Sequence, residues 1–153
     1  MPLRSASGSE AQAYIDFGQL ADSALNLGIA EYFQGMAIVE SVDPRKPDGE
    51  RLREAGGHLA TARAHIARSA DAGRRMMGHV PSTSKEASDF FRMRLASTMK
   101  MTEALDSVIG KVHTDLSGGK YPAMGGCAEA ASAFIDIFGR FRENAQFHAQ
   151  EGF

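Results

Sequence analysis

Two histidines, His58 and His65, stand seven residues apart in the stretch REAGGHLATARAHI, residues 53–66. Seven residues make two helical turns, so on a helix both rings leave the same side. That spacing suits a metal or haem ligand set, a phosphoryl acceptor, or two polar residues bordering a buried face. Metal sites in helical bundles want carboxylates beside histidine. Glu31 falls at the level of His58 once the first two long helical segments are laid antiparallel, and Glu54 precedes His58 by four residues. The set His58, Glu31, Glu54 and His65 is nevertheless incomplete. Di-iron bundles repeat Glu-x-x-His on two helices and add a Glu from each of the others. Glu54-x-x-x-His58 is one residue off that spacing, and the last helical segment has no equivalent. Neither Cys-x-x-Cys-His nor His-Glu-x-x-His occurs. The histidines are expected to be boundary residues, with a metal or haem carrier as an alternative, and no cofactor is expected.

Arg94 and Arg142 raise a sharper question. At 100° per residue Arg94 lies close in angle to Ala87, Leu105 and Val112, and Arg142 lines up with Met124, Ala128 and Ile135. An arginine facing a core needs a partner, because an unpaired buried charge is strongly unfavourable. Arg94 lies 25 residues before Gly119 and Arg142 lies 23 after it. In an antiparallel pair that matches their heights to within about 3 Å. Tyr14 and Asp22 bracket the same layer from the first helix. Either these arginines pair with Asp22 or other carboxylates, or snorkel to water, or they form an interior site for a small anionic ligand. In the second case guanidinium forks hold a carboxylate or phosphate and the Tyr14 hydroxyl assists. Arg94, Arg142, Tyr14 and Asp22 are the candidate binding residues.

The elements that must position these groups are four long helices. Breakers fall in DPRKPDG (43–49), HVPSTS (79–84) and SGGKYPAMGG (117–126), and the segments between them are helical in pattern. They run near 9–41, 48–80, 84–116 and 123–150, after a flexible N-terminus over 1–8. Ser9, or Ser7 with Glu10, can cap the first helix, Asp48 the second, and Ser84 or Thr83 with Glu86 the third. Gly118 and Gly119 stop the third. Equal lengths and short links predict one domain, an all-α antiparallel up-down-up-down four-helix bundle. The fourth helix is expected to bury Met124, Cys127, Ala131, Phe134, Ile135, Phe138, Phe141 and Ala145.

Charge and composition narrow the function. The 153 residues carry a net charge of −2, which gives no general attraction to nucleic acid. No apolar run is long enough to span a membrane and the first residues do not read as a signal peptide. The single cysteine, Cys127, cannot form an internal disulfide, so the cytoplasm is the expected compartment. The first helix has five acids and no Lys or Arg, whereas the second has six arginines, which predicts charge complementarity between these two neighbours. Leu20, Leu27 and Ile38 form a second apolar seam beside the main stripe of the first helix. Such a seam has to be covered, which points to a homodimer through helix one. No nucleophile–base pair or glycine-rich phosphate loop is present, so catalysis is not expected. The leading expectation is a non-catalytic bundle that self-associates or docks a partner helix. The small-molecule and metal or haem readings stand as alternatives.

Overall fold

The structure is a computed structural model that describes the backbone of residues 2–80 and 84–150, and the side chains of residues 10–80 and 84–146. Five helices follow in order: α1 (Pro2–Glu40), α2 (Gly49–Met77), α3 (Lys85–Ser117), α4 (Met124–Ile137) and α5 (Arg140–Gln150). α4 and α5 together form the fourth member of an antiparallel up-down-up-down bundle. α1 packs on α2, α2 on α3, α3 on α4 and α5, and α5 closes the ring against α1.

The buried positions explain the architecture. On α1 they include Tyr14, Gly18, Ala21, Leu25, Gly28, Tyr32, Gly35 and Val39, and on α3 they include Phe91, Leu95, Thr98, Thr102, Leu105, Ile109, Val112 and Leu116. Both series alternate steps of three and four. α2 does the same through Leu52, Ala55, Leu59, Ala62, Ile66, Ser69, Gly73 and Met76. This is a period of 3.5 rather than 3.6. It keeps one seam facing inward along the whole length and favours the shallow left-handed crossing of coiled-coil-like bundles. α1 and α2 approach most closely where glycine meets backbone. A Cβ added at Gly28 would stand 3.2 Å from the Ala62 carbonyl oxygen, and one at Gly35 would stand 3.1 Å from that of Ala55. Aromatic rings fill the wider layers, with Tyr14 edge-on to Phe91 and the Tyr32 and Phe134 centroids 5.0 Å apart.

Two caps form as the sequence predicts. Asp48 accepts from the Glu50 and Arg51 amides, and Ser84 accepts from the Ala87 amide. Gly119 ends α3 with a φ of 70°, and the Lys120 amide reaches back to the Asp115 carbonyl. Thr83, the other cap candidate, lies outside the described residues. Two boundaries differ from expectation. α1 starts at Pro2, a position where proline is tolerated because its missing N–H would have no helical partner. Ser7 and Ser9 therefore sit inside the helix rather than at its cap.

The expected fourth helix, 123–150, is broken. Phe138 is extended and Gly139 adopts a φ of 74°, a left-handed conformation that a side chain resists. The seam nonetheless continues across the break through Cys127, Ala130, Phe134, Ile137, Phe141 and Ala145. Of the expected stripe, Cys127, Phe134, Phe141 and Ala145 are buried and three positions are exposed. Met124, Ile135 and Phe138, placed in the core by a 3.6-residue count, are 58%, 75% and 55% exposed.

Candidate functional site

The arginine layer assembles at the expected height, but the two guanidinium groups do not meet in one interior site. Core positions on α3 are Phe91 and Leu95, so Arg94 lies beside the seam and is half-buried. Its Nε donates to Asn144 Oδ1 at 3.2 Å, and its guanidinium lies 5.8 Å from the Phe90 ring centroid. Asn144, buried on α5, passes the network on by donating to Thr98 Oγ1 at 3.0 Å. Thr98 in turn donates to the Arg94 carbonyl, closing the circuit on α3. Arg94 and Asn144 of α5 thus stand at matched height, and the amide oxygen of Asn144 accepts from Arg94.

Arg142 belongs to another face. Two residues on a helix are about 200° apart around the axis. With Asn144 turned to α3, Arg142 emerges on the α1 flank and is exposed. The row of Met124, Ala128 and Ile135 with which the count aligned it is the outer face of α4, and the break at Phe138 and Gly139 separates the two. Across from Arg142 lies Asp22. Ile15, Gln19, Asp22, Arg142, Ala145 and Gln146 border an open groove of about 330 Å³ between α1 and α5. Asp22 is only 8% exposed. Its Oδ2 accepts from Asn26 at 3.5 Å, and among the described residues its Oδ1 has no hydrogen-bond partner. Tyr14 is fully buried against Phe91, and burial raises its hydroxyl to a pKa of about 12 although Arg94 acts in the opposite direction. Tyr14 thus belongs with the Arg94 side of the layer, and Asp22 with the Arg142 side.

Burial also raises the Asp22 carboxyl above the ordinary value of 3.8, with Arg142 and the Asn26 hydrogen bond opposing the shift. A raised carboxylate pKa favours the protonated form in the folded state. Its contribution to stability is therefore full below about pH 3.8 and is lost as pH rises through the folded-state pKa. Asp22→Asn, which keeps the shape and an oxygen for Asn26, should be more stable than the parent near neutral pH. The two should converge in melting temperature at the acid end of a pH series, and a constant offset at every pH would contradict this.

Of the metal candidates, the structure brings two together. His58 Nδ1 and Glu31 Oε2 are 2.8 Å apart across the α1/α2 seam, both partly exposed. Glu54 is exposed, and His65 Nδ1 contacts the Arg68 guanidinium instead. Among the described residues no group of three or more His, Cys, Asp or Glu side chains is placed to hold a metal ion. Of the charge complementarity expected between α1 and α2, the described residues show this one pair. Among the described residues no α2 arginine meets an α1 acid. Arg63 instead grips Asp106 of α3 through two hydrogen bonds of 3.0 and 3.1 Å, which raise its already high pKa.

A feature missed at the sequence level is an apolar groove of about 250 Å³ on the α1/α4 flank, formed by Ile29, Phe33, Phe134, Ile135 and Phe138. Phe33 is 50% exposed, comparable with Phe138. The α4/α5 break creates this patch, because the extended Phe138 leaves the seam at that point. The anticipated seam takes a different flank. Leu20 and Leu27 are exposed, Ile38 is half-buried, and Leu20 edges an α1/α2 groove that also carries Arg68 and Arg75. The chain matches no known protein-family model, no curated protein and no solved structure at a significant level. Among the described residues no helix is long and apolar enough to cross a membrane.

Proposed function

We propose that this chain is a non-catalytic helical bundle that works by self-association, as a homodimer joined across the α1/α4 flank. The observation that carries this reading is the cluster of Phe33, Ile135 and Phe138, large apolar side chains exposed around a shared hollow. The patch offers both projecting rings and a recess. Two copies related by a two-fold axis can therefore fill each other's recess, as an isologous interface requires. Asp136 and Arg140, exposed charges of opposite sign next to the patch in the chain, can pair across such an axis. Contiguous exposed apolar surface is disfavoured on a monomer and is enriched in aromatic residues where it forms an interface core. The buried thiol of Cys127, raised in pKa by burial and by Asp115, is consistent with the reducing, cytoplasmic setting proposed with this reading.

Light scattering coupled to size-exclusion chromatography tests it. The wild-type chain should elute with twice its 16.4 kDa mass at micromolar concentration. Phe33→Ser combined with Phe138→Ser should yield a folded monomer, because both side chains are already exposed. Leu20→Ser combined with Leu27→Ser should remain dimeric. A wild-type monomer would remove the proposal. A dimer dispersed only by the Leu20 and Leu27 changes would move the interface to the α1/α2 flank.

A further inference from the structure

Two rows of side chains run side by side on the α1/α2 flank, and the dimer reading uses neither. Phe17, Leu20, Ala24 and Leu27 step along α1 by three, four and three residues, each one place before a residue of the buried seam. The row spans about 15 Å of helix. His65, Arg68, Ala72 and Arg75 step along α2 in the same way, one place before Ile66, Ser69, Gly73 and Met76. Between the rows lies an open groove of about 350 Å³ whose α1 wall, Phe17, Leu20, Ser23 and Ala24, is uncharged. Its contact groups stand in solvent. Leu20 is 58% and Leu27 51% exposed, and Arg68 and Arg75 are exposed on the α2 wall. The His79 ring, stacked on Phe17 at 5.5 Å, holds that end of the apolar row in place. Residues 68–75 carry three arginines and one acid. Asp71 is shared between Arg74 and Arg75, at 3.9 and 3.4 Å, and the Arg68 guanidinium rests on His65 Nδ1. The α2 wall of the groove is therefore basic.

We propose that this groove receives an acidic amphipathic helix from another protein. Its apolar row seats on Phe17, Leu20, Ala24 and Leu27, and its carboxylates face Arg68 and Arg75. Two adjacent helices that both repeat in steps of three and four present paired seams, into which a third helix of the same repeat packs knobs into holes. Recognition of a helix in a groove rests on such rows of apolar anchors. Charge then selects the occupant. Guanidinium groups at the edge of an apolar floor favour glutamate or aspartate beside the incoming apolar row and disfavour lysine. A second copy of this chain fits poorly. In an isologous pair the same patch faces itself, and its α1 wall offers Arg68 and Arg75 no carboxylate. Phe33, Ile135 and Phe138 lie on the other side of α1, so a dimer formed there leaves this groove open.

A synthetic helical peptide, titrated against the full chain, tests the assignment. Its leucines repeat in steps of three and four, glutamates flank them, and an attached fluorophore reports binding by polarisation. Binding should saturate, and added salt should weaken it. The same peptide with lysine in place of every glutamate should not bind. Arg68→Ser combined with Arg75→Ser should weaken binding roughly fivefold, the scale of two exposed ion pairs at low salt. Leu20→Ser combined with Leu27→Ser should weaken it by roughly tenfold or more, through loss of the apolar anchors. All four side chains are exposed, so both paired variants are expected to keep the wild-type circular dichroism spectrum. Phe33→Ser with Phe138→Ser should bind the peptide as the wild type does, whatever its oligomeric state, which separates this groove from the dimer flank. The proposal is overturned if the glutamate peptide gives no saturable response, if the lysine peptide matches it, or if either of the first two paired variants binds as the wild type does. It is also overturned if the Phe33 and Phe138 changes abolish binding. A dimer dispersed by the Leu20 and Leu27 changes would overturn it too, by giving the groove to a second copy.

Discussion

Tyr32→Ala should lower the stability of the bundle by about 3–5 kcal/mol, the largest loss expected from a single truncation here. Tyr32 is 1% exposed, stacks at a tilt on Phe134, and donates its hydroxyl to the Cys127 carbonyl oxygen at 2.9 Å. Removing it opens a void between α1 and α4 that neighbours on two rigid helices cannot close. Tyr32→Phe keeps the ring and loses only the hydrogen bond, so about 1 kcal/mol is expected. Urea unfolding followed by circular dichroism measures both. Near-equal losses would mean that the hydroxyl, rather than the packed ring, carries the stabilisation. The alanine loss corresponds to a fall in melting temperature of roughly 10 °C for a chain of this size.

Gly35→Leu should destabilise by about 1–3 kcal/mol, while Gly57→Ala on the facing helix should stabilise by up to about 1 kcal/mol. The two glycines differ only in what surrounds them. A Cβ at Gly35 would meet Leu59 Cδ1 at 2.6 Å and the Ala55 carbonyl oxygen at 3.1 Å, whereas a Cβ at Gly57 has nothing within 4 Å. Leu59 can turn aside, but the α2 backbone cannot, so a larger side chain has to wedge α1 from α2. Thermal unfolding of both variants checks the contrast. Equal, small effects would show that the α1/α2 seam is looser than the structure describes.

These glycines show where the fold was legible in the sequence and where it was not. Loop chemistry placed the start of α2 and both ends of α3 well, because Asp48, Ser84 and Gly119 act locally. The inward seam was harder to read. Its three-and-four stepping passes through Ser69, Thr98 and Thr102, polar residues that bond within the bundle, and through glycines with no hydrophobic signature at all. Gly28, Gly73 and Thr98 were placed on it correctly, but counting at 3.6 per turn drifts off that seam elsewhere. On the fourth helix the drift placed Ile135 in the core and Arg142 in line with it, although Cys127, Phe134, Phe141 and Ala145 were placed correctly. The break at Gly139 was equally hidden, since nothing in FGRF marks a left-handed glycine apart from the glycine itself.

The candidate site was readable in part for the same reason. Height along a helix follows from counting, so Arg94 and the α5 residues near Arg142 do share a layer. Direction around the axis depends on phase, and the phase error merged two faces into one. Asn144 carried no charge and no motif, so nothing in the sequence marked it as the partner of Arg94. The aromatic patch was missed because Phe33 and Phe138 were counted as core or left aside, when their exposure depends on the break.

The claim that two copies meet across the α1/α4 flank is tested most directly by distances between copies. A nitroxide placed at Ala30→Cys, an exposed α1 position one turn before Phe33, in a Cys127→Ala background gives one label per chain. Pulsed electron–electron resonance should then return a short, narrow distance between copies. A label at Ala67→Cys, exposed on α2, should return a longer one, and Phe33→Ser with Phe138→Ser should abolish both. Absence of dipolar coupling at Ala30, or a shorter distance at Ala67 than at Ala30, would contradict the proposed dimer.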